Sequence, residues 1–184
     1  MKKIGLIVLA VVVLLIGWGV GQYNSLVNIN EGVNGKWAQV DTQLQRRNDL
    51  IPNLVQTVKG YAAHEQTVFD NVSNARAKMA GAQTVQEKAQ ADGELTQALG
   101  RLFAVAENYP QLRANENFRA LQDELAGTEN RIATARRDYN EVVQVYNAKV
   151  RVFPTNMVAG IFGFHDREYF RAVEGAQTPP QVQF

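Results

Sequence analysis

The chain has 184 residues, with 19 Lys and Arg against 18 Asp and Glu, two His and no Cys. Two of the lysines, Lys2 and Lys3, stand at the very start, so the remainder is nearly neutral, which excludes a nucleic-acid module with its basic face. The lack of cysteine excludes a disulfide framework, a thiolate metal site, a cysteine nucleophile and a lipidated cysteine.

Ile4 to Gly21 reads IGLIVLAVVVLLIGWGVG, and no charge follows Lys3 before Glu31. Roughly 20 apolar helical residues cross a bilayer core of about 30 Å. The run is longer than a usual signal core, and no small-x-small site closes it cleanly; Trp18 and Tyr23 suit the far interface. It is therefore read as an uncleaved signal-anchor over residues 4–23. With Lys2 and Lys3 before the span, the positive-inside tendency puts residues 1–3 in the cytoplasm of a bacterium. The bulk then lies on the periplasmic or outer side of the inner membrane.

Leu26, Ile29, Val33, Trp37, Val40 and Leu44 recur at steps of three and four, a helical stripe at near-heptad spacing. The membrane helix is expected to continue as a stalk weakened at Gly32 and Gly35. The stripe either packs into the core of its own domain or self-associates with other copies. At Arg46 to Pro52 the pattern is interrupted, because proline lacks an N–H and clashes with the preceding turn. A break is expected there, with Asn48 or Asp49 capping a second helix from about Leu50 to Met79. Its inward residues are Leu54, Val58, Tyr61, Val68, Phe69 and Val72, with Gly60 a weak spot.

A turn centred on Gly81 leads to a third helix, from about Val85 to Glu107, with Leu95, Leu99, Leu102 and Ala106 on one face. Asn108-Tyr109-Pro110 ends it, since the residue before proline avoids helical angles. The fourth helix runs from near Asn115, a good cap, to about Arg151. Its inner face is marked by Phe118, Leu121, Leu125, Ile132, Ala135, Tyr139, Val142 and Tyr146. The expected fold is all-α: a transmembrane helix continuing into an antiparallel bundle of about four long helices, with a short irregular C-terminal cap. The bundle occupies residues 24–152, and an apolar cap with a proline-bearing tail occupies 153–184. Ile161, Phe162, Phe164, Tyr169 and Phe170 form an apolar cluster there. It reads either as a strap closing the bundle or as a docking patch for a partner or lipid.

The motifs together resemble the LemA family of single-span bacterial membrane proteins. The resemblance is carried by Tyr23 to Val27 (YNSLV), Trp37 to Asn53 (WAQVDTQLQRRNDLIPN), Leu54 to Ala62 with His64-Glu65, and Tyr109-Pro110. It continues through Asn117-Phe118, Leu121 to Leu125 (LQDEL), Thr128 to Ala133 (TENRIA), Ala135-Arg136, Tyr139-Asn140 and Tyr146-Asn147. Phe153 to Asn156 (FPTN), Gly163-Phe164 and Tyr169-Phe170 complete it. It covers roughly Tyr23 to Phe170, and the tail after Ala172 is unmatched. It implies a membrane helix followed by a helical bundle. It implies no defined activity, because the family has none established; a relative linked to magnetosome membrane formation points to membrane organisation.

Candidate functional residues are few. Arg46, Arg47 and Asp49 at the expected break could meet Glu129, Asn130 and Arg131 on the last long helix, since arginine forks pair bidentately with carboxylates. Such a cluster is either a polar clamp fixing helix register or an anion or peptide-terminus site. Trp37 in the stalk and Phe162, Phe164, Tyr169 and Phe170 in the cap are the candidate interaction residues. His64-Glu65 has Val68 where a zinc-protease helix needs its second histidine, and His165 is about a hundred residues away. There is no glycine-rich phosphate loop or nucleophile elbow around Ser25 or Ser73. No cofactor, metal or catalytic residue is expected.

The expected function is a membrane-anchored, non-enzymatic scaffold or interaction protein. Its partners would be the bilayer, further copies of itself and an unidentified protein. The alternative is a ligand-binding sensor that signals through a partner protein; a hydrolase is disfavoured by the isolated histidines.

Overall fold

The computed structural model describes residues 2–171, apart from the side chain of Lys2; the predicted tail from Thr178 to Phe184 lies outside them. Among the described residues there are six α-helices and no strand. They are α1 (Lys2–Lys59), α2 (Gln66–Gly81), α3 (Val85–Ala106), α4 (Pro110–Ala114), α5 (Glu116–Arg151) and α6 (Thr155–Phe162). The all-α architecture with four long helices is the expected one. The described residues divide into two units: those up to Ala38 with Asp138–Glu168, and Gln39–Arg137 with Tyr169, Phe170 and Arg171. The long helices α1 and α5 contribute to both.

The main departure from expectation concerns Pro52, which lies inside α1, a helix unbroken for 58 residues. A proline inside a helix frees the carbonyl four residues earlier, here that of Asn48. In the structure the Arg76 guanidinium on α2 donates to that oxygen at 3.3 Å. The lost backbone bond is thus replaced by a donor from a neighbouring helix. The chain turns instead at Gly60, the predicted weak spot, and residues 60–65 lead into α2. Tyr61, expected inward, lies on this turn and is exposed. Its hydroxyl accepts from Asn115 Nδ2 at 3.0 Å.

The unit from Gln39 to Arg137 is built on one apolar core. Ile51, Leu54 and Val58 of α1 and Phe69 and Val72 of α2 meet Leu95, Leu99 and Leu102 of α3, with Leu112, Phe118 and Leu125 completing the cluster. Its α3 starts with a full capping box. Thr84 Oγ1 accepts from the Glu87 N–H at 3.1 Å, and the Glu87 carboxylate accepts from the Thr84 and Gln83 N–H groups. These backbone donors hold the Glu87 carboxyl below its usual range. Pro110, expected to end a helix, does so and also opens α4 at its first turn. Asn115 caps α5 as expected, with Oδ1 accepting from the Phe118 N–H at 3.0 Å.

In the other unit α1 and α5 run side by side. Leu26 and Val33 are buried, as are Tyr139, Val143 and Tyr146 on α5. Val143 takes the inward place expected for the half-buried Val142. A Cβ added at Gly32 would sit 3.7 Å from Val142, an ordinary contact. Of the predicted stripe, Leu26, Val33, Val40 and Leu44 are buried within the chain, while Ile29 and Trp37 are half-buried. The short α6 ends at Gly163 with φ 73°, the left-handed cap that glycine favours.

Candidate functional site

Two polar arrangements stand out, one in each unit. The first is a chain of charges inside the Gln39–Arg137 unit. Arg47 falls on the inward stripe of α1 between Leu44 and Ile51, and only 4% of it is exposed. Its Nη1 donates to Asp92 Oδ1 of α3 at 2.8 Å and lies 2.8 Å from Glu129 Oε2 of α5. Its Nη2 donates to Thr96 Oγ1 at 3.0 Å, and Thr96 donates in turn to the Asp92 carbonyl at 2.8 Å. On its other oxygen, Asp92 faces Arg136 Nη1 of α5 at 3.7 Å. The Arg136 guanidinium lies over the buried Phe170 ring, 4.5 Å from its centroid.

The order Arg136–Asp92–Arg47–Glu129 balances two positive against two negative groups. Burial pushes the Asp92 carboxyl up from its ordinary value, while the Arg47 guanidinium beside it pulls the other way. Burial is the larger influence, as expected where little water reaches the charge. Each arginine already faces a carboxylate, so the cluster ties α1, α3 and α5 together.

The sequence-predicted residues divide around this cluster. Arg47 meets Glu129. Arg46 pairs instead with Glu124 at 2.7 Å, and Arg131 reaches the same oxygen at 2.9 Å and Thr128 Oγ1 at 2.9 Å. That second group is substantially exposed and contributes little to stability. Asp49 is exposed and accepts from Gln45 at 3.2 Å. Asn130 is exposed, with its carbonyl accepting from Thr134. Neither belongs to the buried cluster. The residues missed from sequence are Asp92 and Arg136. Asp92 had a signal: it precedes Leu95, Leu99 and Leu102 on the same face of α3, so a carboxylate was being carried into the core.

The second arrangement surrounds the strap after α6. Asn147 of α5 pairs with Arg167 as a peptide group would, donating from Nδ2 to its carbonyl at 2.9 Å and accepting its N–H at 2.8 Å. The Arg167 guanidinium donates to Asn30 Oδ1 at 2.9 Å and to Asn34 Oδ1 at 3.0 Å on α1. Tyr139 donates to the Glu168 carbonyl at 2.8 Å, and burial pushes its phenol up. Trp37 packs at a tilt against Tyr139 with 5.4 Å between centroids. At the level of Gln22 to Ser25, Thr155 donates to Gln22 at 3.2 Å and Lys149 to Ser25 Oγ at 2.5 Å. Tyr23 meets Phe162 at 4.7 Å and Phe164 at 5.8 Å.

The predicted apolar cluster of the cap is thus divided. Phe170 is buried, Phe164 and Tyr169 are half-buried, and Ile161 and Phe162 are exposed. His64 and His165 are both exposed. Among the described residues no three His, Cys, Asp or Glu side chains are grouped to hold a metal. An open depression of about 170 Å³ lies by Phe103, Arg113 and Phe118. Ligand pockets are commonly about 300–1,000 Å³.

The α1 helix contains a segment long and apolar enough to cross a membrane. The chain is 31% identical to magnetosome protein MamQ 2 of Paramagnetospirillum magneticum over 184 aligned residues, covering 86% of this chain and 68% of that protein. It is 28% identical to magnetosome protein MamQ of Magnetospirillum gryphiswaldense, over 88% of this chain and 70% of that one. It is 24% identical to protein LemA of Metamycoplasma hominis, over 84% of this chain and 71% of that one. None of these names denotes an enzyme. The LemA family model matches residues 36–184, beginning later than the resemblance at Tyr23 and running on through the tail that the motifs left unmatched. A match over so much of the sequence means that the chain belongs to the LemA family.

Proposed function

We propose that this protein is a non-enzymatic helical scaffold anchored in the bacterial inner membrane, which self-assembles at the membrane surface and organises membrane or partner proteins there. The observation that carries the reading is the continuity of α1. One helix holds the apolar segment, whose large side chains from Ile4 to Val20 are exposed, and the inward face of the bundle. An anchor joined by a flexible linker would let a domain tumble. A helix unbroken through Pro52 leaves no such linker along α1 between the apolar segment and Lys59. Lys2 and Lys3 support a cytoplasmic N-terminus with the bundle on the periplasmic or outer side.

Self-assembly would use the apolar segment and the outer surface of the folded chain, because Leu26, Val33, Val40 and Leu44 of the stalk stripe are already buried. The magnetosome names of the relatives suit a role at a membrane. Two measurements test the reading. Alkaline carbonate should leave the full chain in the membrane pellet. Mass photometry after gentle detergent extraction should give a multiple of the protomer mass; a clean monomer would remove self-assembly from the proposal.

A further inference from the structure

We propose that α6 is an interfacial helix: the face carrying Met157 and Ile161, with Phe162 at its edge and Phe153 in the turn before it, is seated in the lipid of the leaflet that α1 leaves at Tyr23. This rests on reading α1 as the membrane anchor.

From Phe153 to Phe164 the chain has no charge, and it exposes large apolar groups that a soluble surface would cover. Phe153 is 74% exposed, Met157 60%, Ile161 76% and Phe162 58%. Met157 and Ile161 are four residues apart and so share one face of α6, Phe153 stands in the turn before the helix, and Thr155, Val158 and Ala159 are the buried residues of α6. The bilayer is favoured as occupant because the patch continues surface already assigned to lipid. The hydroxyl of Thr155 is bonded to Gln22, and Tyr23 packs on Phe162 and Phe164.

Those α1 residues stand where the exposed apolar segment ends; burial begins just beyond, at Leu26. About 30 Å of helix separates Lys3 from Tyr23, the thickness of a hydrocarbon core. With Lys3 at one surface, Tyr23 and the α6 resting on it are at the other. Apolar helix faces at that depth sink about 5–10 Å into the boundary between headgroups and acyl chains. Charges flank the stretch without entering it: Arg151 before and Asp166 after are paired with each other through two Arg nitrogens. The helix is tied to α1 through the buried Thr155, so its apolar face is presented without further folding.

The natural chain has no cysteine, so single labels can be placed without background. Met157→Cys, Ile161→Cys, Leu14→Cys and His64→Cys are each introduced into the full chain and coupled to a nitroxide. The chains are reconstituted in vesicles of phosphatidylcholine with a minority of phosphatidylglycerol. Power saturation then compares access of oxygen with access of a water-soluble relaxant. The expected result is a lipid signature at 157 and 161, shallower than at 14, with an aqueous signature at 64. Aqueous labels at 157 and 161 beside a deep label at 14 would overturn the α6 proposal and leave the anchor standing. Labels at 157 and 161 shielded from both reagents would also overturn it. So would spin–spin broadening that disappears on dilution with unlabelled chain, since the occupant would then be protein. An aqueous label at 14 would overturn the anchor, and α6 with it.

Discussion

Arg47→Met should destabilise the protein severely, because it removes one member of a buried charge chain and leaves its carboxylate in place. The Arg47 side chain makes the 2.8 Å bond to Asp92, the 3.0 Å bond to Thr96 and the 2.8 Å approach to Glu129. Asp92, 3% exposed, would keep only Arg136 at 3.7 Å. Breaking a buried pair from one side costs about 3–5 kcal/mol, because the remaining charge is buried without compensation. In a chain of this size each kcal/mol moves the melting temperature by about 2–4 °C, so the expected fall is about 6–20 °C. Far-UV circular dichroism of the full chain in detergent measures it. Asp92→Leu added to Arg47→Met should recover most of the loss, since the orphaned charge is gone.

The pH dependence has a definite sign. The folded pKa of Asp92 lies above its ordinary value, with burial the main cause. Its contribution to stability is therefore full below the unfolded pKa and is lost as pH rises through the folded one. The stability of Asp92→Asn relative to the parent should accordingly grow as pH rises across that window. The deficit of Arg47→Met should shrink on acidification, when Asp92 takes up a proton. A melting temperature for Arg47→Met within about 2 °C of the parent would refute the clamp and favour a ligand site at this arginine.

Arg76→Met should cost about 1–3 kcal/mol in chemical denaturation by stranding the Asn48 carbonyl, and much less in a Pro52→Ala background, where residue 52 regains its own N–H. Asn147→Ala should free the strap around Arg167, read as faster amide exchange over residues 164–170 with α5 still protected. Gly35→Ala should stabilise α1 by about 1 kcal/mol in thermal melts, since an added Cβ meets nothing within 4 Å. The Glu87 capping contribution is present above that residue's unfolded pKa and lost as pH falls through the lowered folded value. Glu87→Gln should therefore flatten the acid limb of a stability–pH profile.

Legibility in the sequence followed the range of the interactions. Periodicity marks which side of a helix is apolar, and the expected inner faces of α3 and α5 are largely buried. Caps are equally local: Asn115 acts within three residues of itself. Pro52 failed as a signal because its consequence is not local. The missing hydrogen bond is supplied by Arg76, which follows it by more than twenty positions and stands on another helix. Arg47 and Glu129 were expected only as members of two groups that could meet, Arg46, Arg47 and Asp49 with Glu129, Asn130 and Arg131, and the fold selects this pair from them. Asp92 sits in such a repeat too, and Arg136 is recognisable only once Asp92 and Phe170 are known to lie beside it.

By itself, then, the amino-acid order determined an apolar first helix, its continuation as a stalk, and a bundle of long helices. All of these follow from hydrophobic period and end signals within a few residues. Only the tertiary structure decided that α1 runs unbroken through its proline, that Leu26, Val33, Val40 and Leu44 of the stalk stripe are buried inside the chain, and which carboxylate each arginine takes. It also divided the cap's apolar cluster, burying Phe170 while leaving Ile161 exposed and Phe162 exposed beside Tyr23. Those outcomes depend on donors, charges and apolar faces arriving from distant segments. A pattern read along one helix carries no information about its neighbours.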